Sequence, residues 1–207
     1  GGMTKSGYTF NGWNTLATGL GTNYAAGASY ETAAALALFA KWSAVSYSIT
    51  YNNSGSGTGT LPQQASLTIG QTFAVASGSG LTNSGFTFTG WSDGTNTYVA
   101  GESFTVASAN ISLTAIWTPL QYLVIYSANG GLGTVPTEPT HSIGETFTVA
   151  SGSGLTKTGY TFAGWSQASS SFAAGATFTM STANATFVAQ WTPLVFTITY
   201  VAGSGTG

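Results

Sequence analysis

Charged side chains are the scarcest feature of this 207-residue chain, which holds three lysines, no arginine, five acidic residues and one histidine. They make up 4% of the sequence, against roughly 25% in an average soluble protein. Three lysines are too few to neutralise the phosphates of a nucleic acid, so nucleic-acid binding is excluded. A zinc site needs three or four Cys, His or carboxylate ligands. The chain has one histidine, and its five acidic residues are scattered along the sequence, so no such ligand set is indicated.

Cysteine is absent as well, which excludes a thiol nucleophile and a disulfide framework. A Ser-His-Asp triad would have to use His141, the only histidine. We therefore predict a protein that is not an enzyme, with no catalytic residue, no cofactor and no metal ligand.

Long hydrophobic runs are missing too. The longest strictly apolar run covers residues 33–40, far fewer than the roughly 20 residues of a membrane-spanning helix, so no membrane insertion is expected. No secretory signal begins at Gly1, and we interpret the chain as a mature or internal segment.

The abundant residues favour β-structure. The chain contains 35 Thr, 25 Ser and 29 Gly residues, and 14% of it is aromatic. Thr, Tyr, Phe, Val and Ile favour half-buried strands, whereas Gly, Ser and Asn favour turns. The hydrophobic content of 43% indicates folded cores rather than a disordered polar chain.

An internal repeat organises the sequence. The segment G-Y-T-F-N-G-W at 7–13 recurs as G-F-T-F-T-G-W at 85–91 and as G-Y-T-F-A-G-W at 159–165. A second motif, A-x-W, follows each copy, and the two motifs together contain all six tryptophans. Such recurrence indicates tandem duplication.

The tryptophan spacings define the length of the repeat. The A-x-W motifs end at Trp42, Trp117 and Trp191, so they are 75 and 74 residues apart. In the second and third copies the two motif tryptophans are 26 residues apart, whereas Trp13 and Trp42 are 29 apart. Three extra residues are therefore expected in the first copy, in the loop at 16–23.

An alternating, strand-like run opens the unit and reads Y-S-I-T-Y at 47–51, Y-L-V-I-Y at 122–126 and F-T-I-T-Y at 196–200. These limits divide the chain into the C-terminal part of one repeat (1–42), two complete repeats (43–119 and 120–193) and the first strand of a further repeat (194–207). We expect such a segment to be a window of a longer array.

Each complete repeat is predicted to contain five or six short strands. In the first complete repeat they cover residues 47–51, 67–69, 72–75, 86–91, 103–106 and 111–117. Segment 33–40 looks helical by propensity, but its alignment with 182–189 predicts a strand, because context overrides propensity.

The order of an opening Y-x-x-x-Y strand, a middle G-Y-T-F-x-G-W and a closing A-x-W resembles the Listeria–Bacteroides repeat, also called the internalin B-repeat. The resemblance covers nearly the whole chain and implies tandem, small β-grasp-like domains with little helix, arranged as an extended rod. It also implies a secreted bacterial protein of the cell wall or cell surface, involved in adhesion or stalk-like spacing, with no catalytic residues to transfer. The chain departs from the family by its near lack of charge and by a Gly/Ser-rich stretch at 75–81, repeated at 149–155.

The aromatic residues permit two interpretations. The six tryptophans could stack against sugar rings, but their regular spacing at strand ends favours a core role. The less regular aromatics are better candidates for surface contacts, although an edge-strand role fits each of them: Tyr24, Tyr30, Tyr98 and Phe172.

Three further features resemble functional motifs but favour structural roles. His141, three residues after Glu138, could bind a metal or respond to pH, but a lone loop histidine is usually solvated. Asp93 and Asn96 are typical of a turn, because the other acidic ligands of a calcium loop are missing. The glycine-rich run 54–59 lacks the lysine and the helix of a phosphate loop.

These observations predict a structural repeat segment of a bacterial surface fibre, filament or adhesin stalk. Two alternatives stay open: an adhesion module that binds glycan or a host protein through exposed aromatics, and threonine rows that bind ice or another ordered surface. Glycan binding predicts exposed aromatics on one face of every repeat, whereas a structural role predicts that the aromatics are buried.

The incomplete ends suggest how neighbouring repeats could be partners. Segment 196–207 carries the first strand that residues 1–42 lack, so one molecule could complete the next by strand addition, giving an open filament. The simpler interpretation, which the sequence favours, places the missing halves in the same long polypeptide.

Overall fold

The computed structural model describes residues 2–55, 57–201 and 203. Within these residues the chain forms twenty-two β-strands and no helix, so the prediction of a β-rich repeat protein is confirmed. The chain divides into two compact units, Gly1–Thr118 and Pro119–Gly207. The first unit contains the first and second copies of the repeat, and the second unit contains the third copy.

The strands follow the repeats. The first copy forms β1 (Tyr8–Asn14), β2 (Asn23–Tyr24) and β3 (Phe39–Ala44). The second copy forms β4 (Ser46–Asn52), β5 (Thr58–Gly59), β6 (Gln64–Thr68), β7 (Thr72–Ala74), β8 (Leu81–Thr82), β9 (Phe86–Ser92), β10 (Thr97–Tyr98), β11 (Ser103–Thr105) and β12 (Ile111–Pro119). The third copy forms β13 (Gln121–Tyr122), β14 (Val124–Ser127), β15 (Leu132–Gly133), β16 (His141–Ser142), β17 (Thr146–Thr148), β18 (Leu155–Thr156), β19 (Tyr160–Gln167), β20 (Ser170–Phe172), β21 (Thr177–Thr179) and β22 (Ala185–Pro193).

The two complete copies share one sheet topology. The main sheet of the second copy has the order β10-β9-β12-β4-β6. Read from the equivalent edge, the main sheet of the third copy has the order β20-β19-β22-β14. In both, the opening strand lies parallel to the last long strand, with Tyr51 opposite Leu113 and Tyr126 opposite Phe187. Both copies also contain equivalent two-stranded sheets, β5-β8 with β7-β11 and β15-β18 with β17-β21. The duplication seen in the sequence is therefore a duplication of structure.

Each complete copy encloses its own hydrophobic core. The core of the second copy consists of Ile49, Tyr51, Phe73, Val75, Leu81, Trp91, Val106, Leu113 and Ala115. The core of the third consists of Val124, Tyr126, Phe147, Val149, Leu155, Trp165, Met180, Ala185, Phe187 and Ala189. Most of these side chains come from alternate positions of strands, because alternate residues point to the same face of a sheet.

The six strands predicted for the second copy all form, with ends that differ by at most three residues. The strands β5, β8 and β10 were not predicted. Each has only two paired residues, which leaves no alternation for sequence analysis to detect.

The strand predicted over 33–40 is wrong, because β3 begins only at Phe39. The equivalent parts of β12 and β22 pair with a parallel opening strand. The sheet of the first copy has the order β2-β1-β3, which leaves β3 at an edge within the described residues. Residues 33–38 lack that neighbour and its backbone hydrogen bonds, so they do not form a strand.

The first strand predicted within 194–207 is not paired. Residues 194–201 and 203 lie outside the strands, and residues 202 and 204–207 lie outside the described part of the chain. Several apolar side chains of this segment are exposed, namely Leu194, Val195, Phe196, Ile198, Tyr200 and Val201.

Candidate functional site: the repeated aromatic anchor

One tryptophan is fully enclosed at the centre of each complete copy. Trp91 on β9 and Trp165 on β19 both have 0% exposure, so the predicted core role holds at these positions. The indole Nε1 of Trp91 donates a 2.8 Å hydrogen bond to the carbonyl oxygen of Ala76, and Trp165 donates an equal one to Ala150. These bonds replace the lost bonds to water and so permit full burial of the indole.

A tyrosine from the opening strand contacts the same alanine. The hydroxyl of Tyr51 accepts a 2.9 Å hydrogen bond from the backbone N–H of Ala76, and the rings of Tyr51 and Trp91 meet edge to face at 4.6 Å. Burial raises the pKa of Tyr51 and of its counterpart Tyr126, which keeps both hydroxyls protonated. We call this group the aromatic anchor, formed by Tyr51, Ala76 and Trp91 in the second copy and by Tyr126, Ala150 and Trp165 in the third.

The motif phenylalanine links the two tryptophans of every copy. Phe10, Phe88 and Phe162 each lie edge to face between the two indoles of their own copy, with ring centroids 5.1 to 5.7 Å apart. Such pairs add about 0.5–1.5 kcal/mol each beyond the area they bury. The remaining tryptophans, Trp13, Trp42, Trp117 and Trp191, are half-buried.

The glycine before each motif tryptophan is required by a close backbone approach. A Cβ atom on Gly90 would lie 2.6 Å from the carbonyl oxygen of Tyr98, and one on Gly164 would lie 2.7 Å from that of Phe172. Both glycines have positive φ, and the register of β19 against β22 shifts between Phe162 and Gly164. The G-W pair of the motif therefore marks a β-bulge that turns the indole into the core.

The Gly/Ser-rich stretch at 75–81 contributes Val75, Gly78 and Leu81 to the buried interior. A Cβ atom on Gly78 would lie 2.5 Å from the ring of Phe88, and one on Gly152 would lie 2.5 Å from the ring of Phe162. Glycine at this place allows the ring to pack directly on the backbone.

Asp93 forms the predicted turn between β9 and β10. Its Oδ1 accepts hydrogen bonds from the backbone N–H groups of Asn96 at 2.7 Å and Thr95 at 2.8 Å, and its Oδ2 accepts one from the hydroxyl of Tyr98 at 2.8 Å. The two backbone bonds, followed by the bond from Tyr98, lower the pKa of Asp93 to about 2. Both carboxylate oxygens therefore accept hydrogen bonds that hold the turn between β9 and β10.

His141 was predicted to be solvated, and this is wrong. It lies on β16 opposite Tyr122, is 6% exposed, and stacks on Phe147 with ring centroids 4.6 Å apart. Its Nε2 is 3.1 Å from Glu138 Oε1 in a hydrogen bond, whereas Nδ1 is 3.1 Å from Glu145 Oε1 without hydrogen-bond alignment. The carboxylates face different ring nitrogens, and the described residues contain no group of three such side chains able to hold a metal.

The second copy explains the burial of His141. Leu67 occupies the equivalent position opposite Tyr47, so the fold places this side chain toward the interior in both copies. The residues that correspond to Glu138 and Glu145 are Gln64 and Gln71. The third copy thus has a histidine and two carboxylates where the second copy has a leucine and two amides.

We expect His141→Leu to change the free energy of unfolding at neutral pH by less than about 1 kcal/mol, because an apolar side chain replaces a paired polar one. The pKa of Glu145 is lowered by the Ser142 N–H bond first and by His141 second. A lowered carboxyl pKa stabilises the fold above the ordinary pKa, and this stabilisation is lost as the pH falls through the lowered value. The variant should therefore lose less stability on acidification.

Urea denaturation across a pH series measures both effects. The matched control is Leu67→His, which buries an imidazole without carboxylates and should cost about 1–3 kcal/mol. An unchanged acid profile in His141→Leu, or equal costs for the two variants, would contradict the role assigned to the carboxylates.

The less regular aromatics contribute mainly to packing. Tyr24 and Tyr30 meet edge to face at 6.1 Å, Tyr98 packs on Phe104 at 5.0 Å, and the ring of Phe172 contacts Phe187 at 5.6 Å. Tyr98 and Phe172 also lie on the edge strands β10 and β20. Of these four aromatic side chains, only Tyr30 is exposed, and the other three are half-buried.

Asn14, a buried polar residue of the first copy, was not predicted from the sequence. Its Oδ1 accepts hydrogen bonds from the backbone N–H groups of Leu16 and Gly21, and its Nδ2 donates to the carbonyl oxygens of Gly19 and Gly21. These bonds organise the loop between β1 and β2, where the three extra residues were expected. A signal was present, since the residue after the motif tryptophan is Asn here and Ser in the other copies.

Comparison with known proteins finds three tandem matches to one family. The family model of the Listeria–Bacteroides repeat domain matches residues 2–41, 47–116 and 122–190. A protein of Evansella cellulosilytica, whose name describes a Gly-rich membrane protein, is 30% identical over 162 residues, which is 67% of this chain and 18% of that protein. No solved structure matches, and the described part of the chain has no helix long and apolar enough to cross a bilayer. The three tandem matches cover most of the sequence, and the chain belongs to the Listeria–Bacteroides repeat family.

Proposed function

We propose that the chain is a non-enzymatic, structural repeat segment of a bacterial surface protein, located outside the cell or in the cell wall. One observation carries this proposal: both complete copies use their recurrent aromatic residues to enclose the same aromatic anchor. Family membership supports the location, as does the relative named as a Gly-rich membrane protein.

The anchor gives each complete copy the means to fold as a separate spacer. Burial of one indole removes about 200 Å² from water, which at roughly 25 cal/mol per Å² is an upper bound near 5 kcal/mol. Net stabilities of domains are typically about 5–15 kcal/mol, so one indole is a large share. A repeat of this kind does not need a ligand to hold its shape.

We further propose that such copies form a rod of β-grasp-like domains. The links are short, since only Val45 separates β3 from β4 and only Leu120 separates β12 from β13. The parallel pairing of the first and last long strands supports a β-grasp-like sheet within each copy. Low charge would let such rods lie side by side without repulsion.

Adhesion through exposed aromatics receives less support. Among the described residues of the two complete copies, Tyr160 is the one exposed aromatic, at 39%. Lys157 Nζ lies 4.8 Å from the centre of its ring, which partly covers the face that a sugar would use. The counterpart of Tyr160 in the second copy, Phe86, is half-buried, so no exposed aromatic recurs.

Arrays built from increasing numbers of the unit 43–193 test the proposal by small-angle X-ray scattering. A rod predicts that the largest dimension rises linearly with copy number, whereas a compact particle grows only as about the 0.38 power of chain length. A glycan array tested in parallel separates the two functions. Compact growth would contradict the spacer role, and glycan binding that Tyr160→Ala abolishes would establish adhesion instead.

A further inference from the structure

A single residue links the first copy to the second. Val45 stands between β3 and β4, so the chain passes almost directly from the last strand of one copy into the first strand of the next. On one side of the link, Tyr8 lies opposite Ala44 in the pairing of β1 with β3. On the other side, Ser46 lies opposite Thr68 in the pairing of β4 with β6. The paired strands of two copies therefore meet at Val45.

A backbone hydrogen bond holds this link. The N–H of Val45 donates a 2.9 Å bond to the carbonyl oxygen of Gly7, the residue just before β1. The residue after β22 repeats the arrangement, since the N–H of Leu194 donates a 2.8 Å bond to the carbonyl oxygen of Gly159. A bonded link has fewer conformations open to it than a flexible linker has. The first glycine of the motif thus restricts the direction in which the chain leaves a copy.

The same glycine contacts a side chain of the second copy. Ile69 follows β6 directly, and both Ile69 and Gly7 are half-buried. A Cβ atom on Gly7 would lie 2.8 Å from Cγ2, 2.9 Å from Cβ and 2.9 Å from Cδ1 of Ile69. Side-chain carbons do not approach one another so closely, and only glycine leaves the space that the isoleucine occupies.

The sequence repeats both partners of this contact. The motif glycine recurs as Gly85 and Gly159, and the pair Ile69-Gly70 recurs as Ile143-Gly144. A positive φ explains the glycine of the motif by itself. It does not explain the isoleucine, which a contact between neighbouring copies does explain.

We propose that Gly7 and Ile69 form a rigid joint by which the second repeat docks on the first. The isoleucine of the following repeat fills the notch that the glycine of the preceding repeat leaves open, and the bonded link holds the two copies in one orientation. The partner of this surface is therefore the neighbouring repeat of the same polypeptide. An array that repeated the joint would be stiff, because each interface between neighbours would fix the next copy. The inference rests on the structural role proposed above and names the contact that would align the rod.

Distances between two spin labels, measured by pulsed electron paramagnetic resonance, test the joint in the full chain. The chain contains no cysteine of its own. Thr9→Cys and Thr87→Cys together place one label at the same exposed motif position of each copy. A rigid joint predicts one narrow distribution of distances between the labels.

Ile69→Ala should replace the narrow distribution by a broad one, because it empties the notch and leaves the backbone of the first copy unchanged. The matched control is Leu61→Ala, which also truncates a half-buried side chain of the second copy but one that packs on its core. This control should keep the distribution narrow. Fluorescence of the enclosed Trp91 should show that the second copy stays folded in both variants.

Gly7→Ala should broaden the distribution as well, because the added Cβ would displace Ile69. Its control is Gly27→Ala in the same copy, where φ is +79° against +74° at Gly7 but no atom lies within 4 Å of the added Cβ. The two variants share the strain of a positive φ and differ in the contact with the second copy. Gly27→Ala should therefore retain the narrow distribution.

Three results would overturn the joint. They are a broad distribution in the labelled chain without further substitution, a narrow distribution that Ile69→Ala leaves unchanged, and equal broadening by Gly7→Ala and Gly27→Ala. The scattering of longer arrays tests the rod separately. Compact arrays with a narrow distribution would contradict the rod and keep the joint, whereas a broad distribution in extended arrays would contradict the joint and keep the rod.

Discussion

Trp165→Ala is expected to lower the free energy of unfolding of the third copy by about 3–5 kcal/mol. The indole is fully enclosed and contacts the rings of Tyr126 at 4.7 Å and Phe162 at 5.1 Å. Its removal leaves a cavity and also leaves the carbonyl oxygen of Ala150 without its donor. Both effects fall on one core, because the second copy keeps its own anchor.

Guanidinium denaturation followed by tryptophan fluorescence measures this loss. The third copy should unfold at lower denaturant while the second copy keeps its transition, so the curve should become biphasic. Tyr160→Ala is the control within the same strand, and its partly exposed ring should cost less than about 1 kcal/mol. A single cooperative transition, or equal losses for the two variants, would contradict separate cores.

Gly164→Ala is expected to destabilise the third copy by at least about 2 kcal/mol, from backbone strain and a steric clash. The added Cβ would meet the carbonyl oxygen of Phe172 on the paired strand β20. A backbone atom held in a sheet cannot move aside as the end of a flexible side chain can. The bulge would have to open, which would turn Trp165 out of its packing.

The control for this variant is Gly175→Ala, where φ is +81° but no atom lies within 4 Å of the added Cβ. The two variants share the strain of a positive φ and differ in the close approach. Thermal unfolding should therefore show a larger loss for Gly164→Ala. Gly90→Ala should repeat the effect in the second copy, and equal losses at Gly164 and Gly175 would refute the backbone contact.

Sequence reasoning recovers the parts of this fold that are periodic. The strand containing Phe88 alternates apolar and polar residues, and the recurrence of Trp91 at Trp165 identifies a core position. These features depend on one segment at a time, so a single sequence contains the necessary information. The β-rich repeat and its principal strands could therefore be predicted.

The parts that were missed depend on a neighbour. Segment 33–40 aligns with a strand, yet it has no opening strand beside it, and residues 33–38 form none. His141 looked like a loop residue until the pairing of β13 with β16 placed it over Phe147. The contact between Gly78 and the ring of Phe88 joins residues ten apart, and no local pattern indicates it.

The parallel pairing of the opening and last strands determines how a complete repeat responds to tension. The chain enters the second copy at the start of β4 and leaves it at the end of β12. Because these neighbouring strands point the same way, a pull on both ends slides one strand along the other and loads all the hydrogen bonds between them together. Asn110 bonds to Ser48 across this seam, and the side chain of Asn52 donates to Ser112 further along it. A complete repeat should therefore resist unfolding most strongly when its two ends are pulled apart, because this pull loads the two parallel strands in shear.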